Sequence, residues 1–105
     1  MNQFHEHKLW QEAYIALVEL HDAFDTADAP QLLASAGKVT AMIADALSRN
    51  DVRKGKDIIA EAVGSVAVTR SHLAVAWGRK LVDDETFRSL DNRYAELSQS
   101  LQRHR

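Results

Sequence analysis

The chain contains no cysteine, which removes disulfides, thiolate metal sites and cysteine nucleophiles together and fits a reducing compartment. Proline occurs once and glycine four times; with abundant Ala and Leu, this argues for helices joined by short turns. Neither charge sign dominates. Thirteen basic and 15 acidic residues leave a formal net charge of −2, mixed along the chain, so composition gives no pull towards nucleic acid or anionic lipid, and such binding would need a local patch. No stretch alternates as a strand does, and no low-complexity tract or internal repeat is visible. The opening Met-Asn-Gln-Phe-His-Glu-His-Lys lacks the charged-then-apolar build of a signal peptide, and no apolar run is read as reaching the ~20 residues of a membrane span. The expectation is a cytoplasmic protein with no membrane partner, folded as a single domain over residues 1–105.

What the chain does have is the stretch Ile58–Trp77. At about 100° per residue, Ile58, Ala62, Val66, Thr69, Leu73 and Ala76 share one face, and Ile59, Val63, Ala67, Ala74 and Trp77 continue it round the side. Even the remaining side carries Val68 and Val75. A helix apolar nearly all round is normally buried on more than one side, so this one is expected to be central, with partners on two sides. Its small residues, among them Ala60, Gly64, Ala67 and Ala74, would let neighbouring backbones approach closely.

Helices are expected at about residues 5–25, 30–49, 52–77 and 84–103. In the first, Leu9, Ala13, Ala16, Leu17, Leu20 and Phe24 form an apolar face. Trp10, Tyr14, Val18 and His21 widen it to an arc of roughly 200°, about twice what the outside of a monomeric bundle needs. Asp28 and Pro30 signal the second start, Asn50 and Asp51 its end and the third start, and Gly78 a left-handed stop for the third. Gly37 reads as a concession to packing. Asp83 or Asp84 caps the last helix, where Phe87, Leu90, Tyr94, Leu97 and Leu101 step as a heptad seam. Four helices with short turns pack most simply as an all-α, up-down-up-down four-helix bundle.

Nothing in the chain carries recognisable catalytic chemistry. There is no Gly-rich phosphate loop, no strained serine elbow and no Glu-x-x-His. His5, His7, His21, His72 and His104 are scattered, so no metal, no cofactor and no enzymatic activity are expected. Two groups stand out instead. Arg49, Arg53, Lys54 and Lys56 make a short basic patch, with Arg79 and Lys80 at the other end of the third helix, suited to phosphate if repeated around an oligomer. Trp10, Tyr14, Val18, Val68 and Val75 are the candidate oligomer contacts, because excess apolar surface marks a partner site; the alternative is that Trp10 and Tyr14 fold over the neighbouring helix within one chain.

The order of motifs resembles a bacterial four-helix-bundle family that includes proteins encoded in intervening sequences of large-subunit ribosomal RNA; the accessory variability protein of diversity-generating retroelements is a relative. The carriers are Phe4 followed by Leu9-Trp10-Gln11-Glu12-Ala13, then Gln31-Leu32, Ile43-Ala44-Asp45-Ala46-Leu47-Ser48-Arg49, Ala62-Val63-Gly64-Ser65 and Leu81-Val82-Asp83-Asp84-Glu85-Thr86-Phe87. The chain departs from the family pattern at Leu33-Ala34, Met42, Val68 and Arg70. The resemblance implies a four-helix bundle and a ring-like homo-oligomer, often a pentamer. The functional expectation is a non-enzymatic interaction scaffold or accessory factor with a protein partner. The alternative is an RNA- or DNA-binding accessory protein, working with a reverse transcriptase, that uses the Arg49 to Lys56 patch.

Overall fold

The computed structural model describes residues 3–104. A short 3-10 turn, Phe4–Glu6, precedes α1 (Lys8–Ala23), α2 (Pro30–Ser48), α3 (Val52–Gly78) and α4 (Asp84–Arg103). No strand occurs among the described residues. Each helix packs on its neighbours in sequence and α4 closes back onto α1, whereas the diagonal pairs α1/α3 and α2/α4 do not meet. With such short connections, consecutive helices run antiparallel, giving a square bundle of 43 × 20 × 19 Å. α3, with 27 residues, is about 40 Å long at 1.5 Å per residue and sets the long axis.

Local chemistry explains the boundaries. Asp51 accepts from the backbone N–H groups of Arg53 and Lys54 and starts α3; Asp83 accepts from that of Thr86 and starts α4. The Thr86 backbone N–H bond holds the Asp83 carboxyl below its ordinary range. α2 starts differently from the expectation. Its N-cap is Ala29, with no side-chain cap, while Asp28 closes a turn by donating its own N–H to the Asp25 carbonyl. Pro30 occupies the first turn, where a missing N–H costs nothing. α3 also stops differently. Gly78 remains helical, and the left-handed residue is Lys80 at φ 65°. Among the described residues no other non-glycine has positive φ, so Asn50 does not take that conformation.

The core runs along the bundle axis. It is built from Leu9, Ala13, Ala16 and Leu20 of α1, Leu32, Ala36, Val39 and Ile43 of α2, Val66 and Leu73 of α3, and Leu90, Tyr94, Leu97 and Leu101 of α4. The heptad seam of α4 thus faces inward, apart from a half-buried Phe87.

α3 has its expected partners on two sides, α2 and α4, but it is a corner of the square, not its centre. Its inner face, Ile59, Ala62, Val66, Thr69, Leu73 and Ala76, is buried, but Ala67, Ala74 and Trp77 are exposed. The four-cornered packing leaves every helix one outer side, and an apolar sequence cannot change that count. α3 is also long and apolar enough to cross a bilayer on length and composition alone, with a mean hydropathy of 1.3 over its most apolar window. This departs from the expectation of no apolar run of that length. In the bundle its inner side is occupied by α2 and α4.

Candidate interaction surfaces

On α1, the side turned away from the bundle carries Tyr14, Ile15 and Val18, all exposed. Trp10 lies at the edge of this patch. It is half-buried against the core, stacks on Tyr14 with centroids 5.0 Å apart, and receives the edges of Phe4 and His5 at 5.4 and 5.3 Å. Four rings thus form a continuous ladder from the 3-10 turn onto the outer face of α1. His21, expected on the same strip, is exposed. Ile15 was not legible in the sequence because it falls outside both apolar stripes of α1. Its only signal is an aliphatic residue standing on an otherwise polar side.

On α3, Val68 and Val75 stand on the outer face, with Ala60, Gly64, Ala67, Ser71 and Ala74 exposed beside them. These small residues recur at steps of four and three, so they form a shallow seam along the helix. Gly64 has no heavy atom within 4 Å of where a Cβ would stand, consistent with an open face. The exposures of Tyr14 (48%), Val18 (40%), Val68 (51%) and Val75 (58%) show that one copy of the chain leaves them uncovered. Because α1 and α3 are diagonal, the five expected contact residues do not form one patch. They divide into a bulky group on one corner and a shallow group on the opposite corner.

One of the four cations of the basic patch is paired with an acid of α2. Arg49 closes on Asp45 through two hydrogen bonds of 2.8 and 3.3 Å, and this guanidinium holds the Asp45 carboxyl below its ordinary range. Arg53, Lys54 and Lys56 are exposed; Arg53 and Lys56, three residues apart, share a side at the start of α3, and Lys54 stands about 100° round from Arg53. The antiparallel arrangement brings Lys8 and Arg103 to the same end of the bundle. Arg79 and Lys80 lie at the other end, among Asp25, Asp28, Asp83 and Asp84.

Other polar contacts join helices. Arg70 forms a two-point ion pair with Asp91 at 2.8 and 3.0 Å, linking α3 to α4, and Arg93 reaches from α4 to Glu19 on α1. Trp77, expected to continue the apolar face of α3 round its side, lies flat on Phe87 at 4.5 Å and donates its indole N–H to Asp84. Among the described residues no three His, Asp or Glu side chains are grouped to hold a metal ion. Protein-family models, curated proteins and solved structures were compared with the chain, and none matches it significantly.

Proposed function

We propose that the protein is a non-enzymatic, self-assembling four-helix bundle that presents a surface to another macromolecule. The observation that carries this reading is the uncovered apolar surface on two opposite corners, Tyr14, Ile15 and Val18 on α1 and Val68 and Val75 on α3. Bulky side chains on one corner suit the shallow seam on the other. A contact between unlike patches is heterologous, and when the rotation closes it generates a ring. This agrees with the ring, often a pentamer, that the family resemblance implies, and the proposal includes membership of that family.

Light scattering at micromolar concentration tests it. The expected result is a mass several times that of one chain, falling to a single-chain mass in Val18→Glu or Val68→Glu with helicity kept. A wild-type monomer would overturn the reading.

A second reading, an accessory protein that binds RNA or DNA, is favoured by one observation: Lys8, Arg53, Lys54, Lys56 and Arg103 share one end of the bundle. Repeated around an assembly, such ends add up to a multivalent phosphate-binding face. Binding that weakens steeply with salt and disappears in Arg53→Glu with Lys56→Glu would support it. Binding indifferent to salt would remove it.

A further inference from the structure

The two ends of the described chain meet at the end of the bundle where α1 begins and α4 stops. His7 is the N-cap of α1, and its Nδ1 accepts a hydrogen bond of 3.0 Å from the backbone N–H of Leu9. An imidazole can accept there only with a lone pair on Nδ1, which puts the ring's single proton on Nε2. A protonated ring has no such lone pair. It also sets a cation at a helix N-terminus, the end that favours anions.

The neighbour of this ring is a second imidazole. His104, the residue that ends α4, meets His7 edge to face, with centroids 5.4 Å apart and planes at 72°. His7 is exposed and His104 half-buried. His104 lies at the mouth of a cleft of about 520 Å³ floored by Ile59, Val63 and Leu101. Burial, and His7 beside it, hold the His104 imidazole below its ordinary range.

The charged surroundings do not offset a proton gained here. The 3-10 turn brings His5 and Glu6, α1 brings Lys8, and α4 brings Arg103. α3 contributes Lys56 in the same cleft. α2 contributes Asp45 and Arg49, which neutralise each other. At this end of the bundle Lys8, Arg53, Lys54, Lys56 and Arg103 outnumber Glu6, Glu12, Asp51 and Asp57.

We propose that His7 and His104 form a proton-operated latch, which holds the N-terminal turn and the start of α1 on the bundle while both rings are neutral and releases them on protonation. Protonating His7 removes the cap, and protonating His104 sets a cation against the ring that supplies it. The direction follows from linkage. Burial and His7 beside it make His104 easier to protonate in the released state, so it contributes stability above its ordinary pKa and loses it as the pH falls. Release also dismantles the ladder in which Phe4 and His5 cover Trp10. The latch is a property of one chain and does not depend on self-association.

The test follows the full-length chain from pH 7.5 to pH 5, with Trp77→Phe leaving Trp10 as the one indole. At pH 7.5, long-range proton–nitrogen spectra should show His7 with its proton on Nε2. On acidification, exchange protection of the Leu9 amide, corrected for its intrinsic rate, should fall about fivefold, the factor expected for a lost N-cap. Trp10 fluorescence should change in the same step. His7→Asn keeps a capping side chain that does not titrate, so it should hold Leu9 protected at pH 5 and abolish the step. His104→Gln should move the step to higher pH, because His7 then gains its proton unopposed. A proton on Nδ1 of His7 at pH 7.5, or an unchanged step in His7→Asn, overturns the proposal.

Discussion

Ser35 Oγ and Thr69 Oγ1 lie 2.7 Å apart across the α2–α3 contact. Thr69 donates its own proton to the Ser65 carbonyl at 3.0 Å, so Ser35 is the donor and Thr69 the acceptor between the helices. Thr69 is fully buried, and its hydroxyl is tolerated in the aliphatic stripe because both of its roles are satisfied. Thr69→Val should cost about 1 kcal/mol, and Ser35→Ala about the same. The double variant should cost clearly less than the sum, because the Ser35–Thr69 bond is lost in both single variants. Urea midpoints with unchanged slopes would measure this.

Two glycines should respond to alanine with opposite signs. A Cβ on Gly55 would stand 3.1 Å from the backbone oxygen of Ala46, where α3 approaches the end of α2. Backbone on both sides leaves little room to yield, so Gly55→Ala should destabilise by about 1 kcal/mol despite its better helix propensity. Nothing stands within 4 Å of the same point on Gly37, so it is no concession to packing, and Gly37→Ala should stabilise by up to about 1 kcal/mol. Thermal melts of the two variants would show the split.

Tyr94 is fully buried, and its phenolic oxygen has no partner in the structure. Removing an unsatisfied hydroxyl while keeping the ring should help, so Tyr94→Phe should raise stability by about 1 kcal/mol. Burial, with Glu19 nearby, pushes this phenol well above its ordinary value. The native state therefore holds the proton longer than the unfolded chain does. Stability from this group is complete below about pH 10 and is lost as the pH rises further. Phenolate absorbance should show one ring ionising only together with unfolding, and Tyr94→Phe should flatten the alkaline fall in stability.

The apolar corners give a further contrast. Val75→Glu, on the α3 face, should reduce the assembled mass seen by sedimentation while leaving the melting temperature of the single chain within a few degrees. An exposed valine contributes little to a monomer's core. Leu73→Ala, two residues away and fully buried, should instead cost about 2–5 kcal/mol of folding stability.

Much of the bundle was legible because helix signals are local. The 3-4 spacing of Phe87, Leu90, Tyr94, Leu97 and Leu101 fixed the inner face of α4, and Asp51 and Asp83 marked starts that the structure keeps. Asp28 and Gly78 misled because capping residues state an ability, and the turn actually formed depends on where the next helix must dock. Leu81 and Val82 pack against the core, and the chain turns at Lys80 to bring them there. The aromatic pair on α1 was legible as surplus apolar surface. Its distance from Val68 and Val75 was not, because which helices are diagonal is a property of the packing.

By itself, then, the sequence determined the elements: four helices, their apolar stripes and most of their starts, all set by periodicity and by hydrogen bonds spanning a few residues. Only the tertiary structure decided which apolar residues stay in water, that the candidate contacts divide between opposite corners, and that His7 meets His104 from the far end of the chain. Helical period says which side chains share a face. How many faces are covered depends on how many neighbours a helix has, and in a square of four each has two.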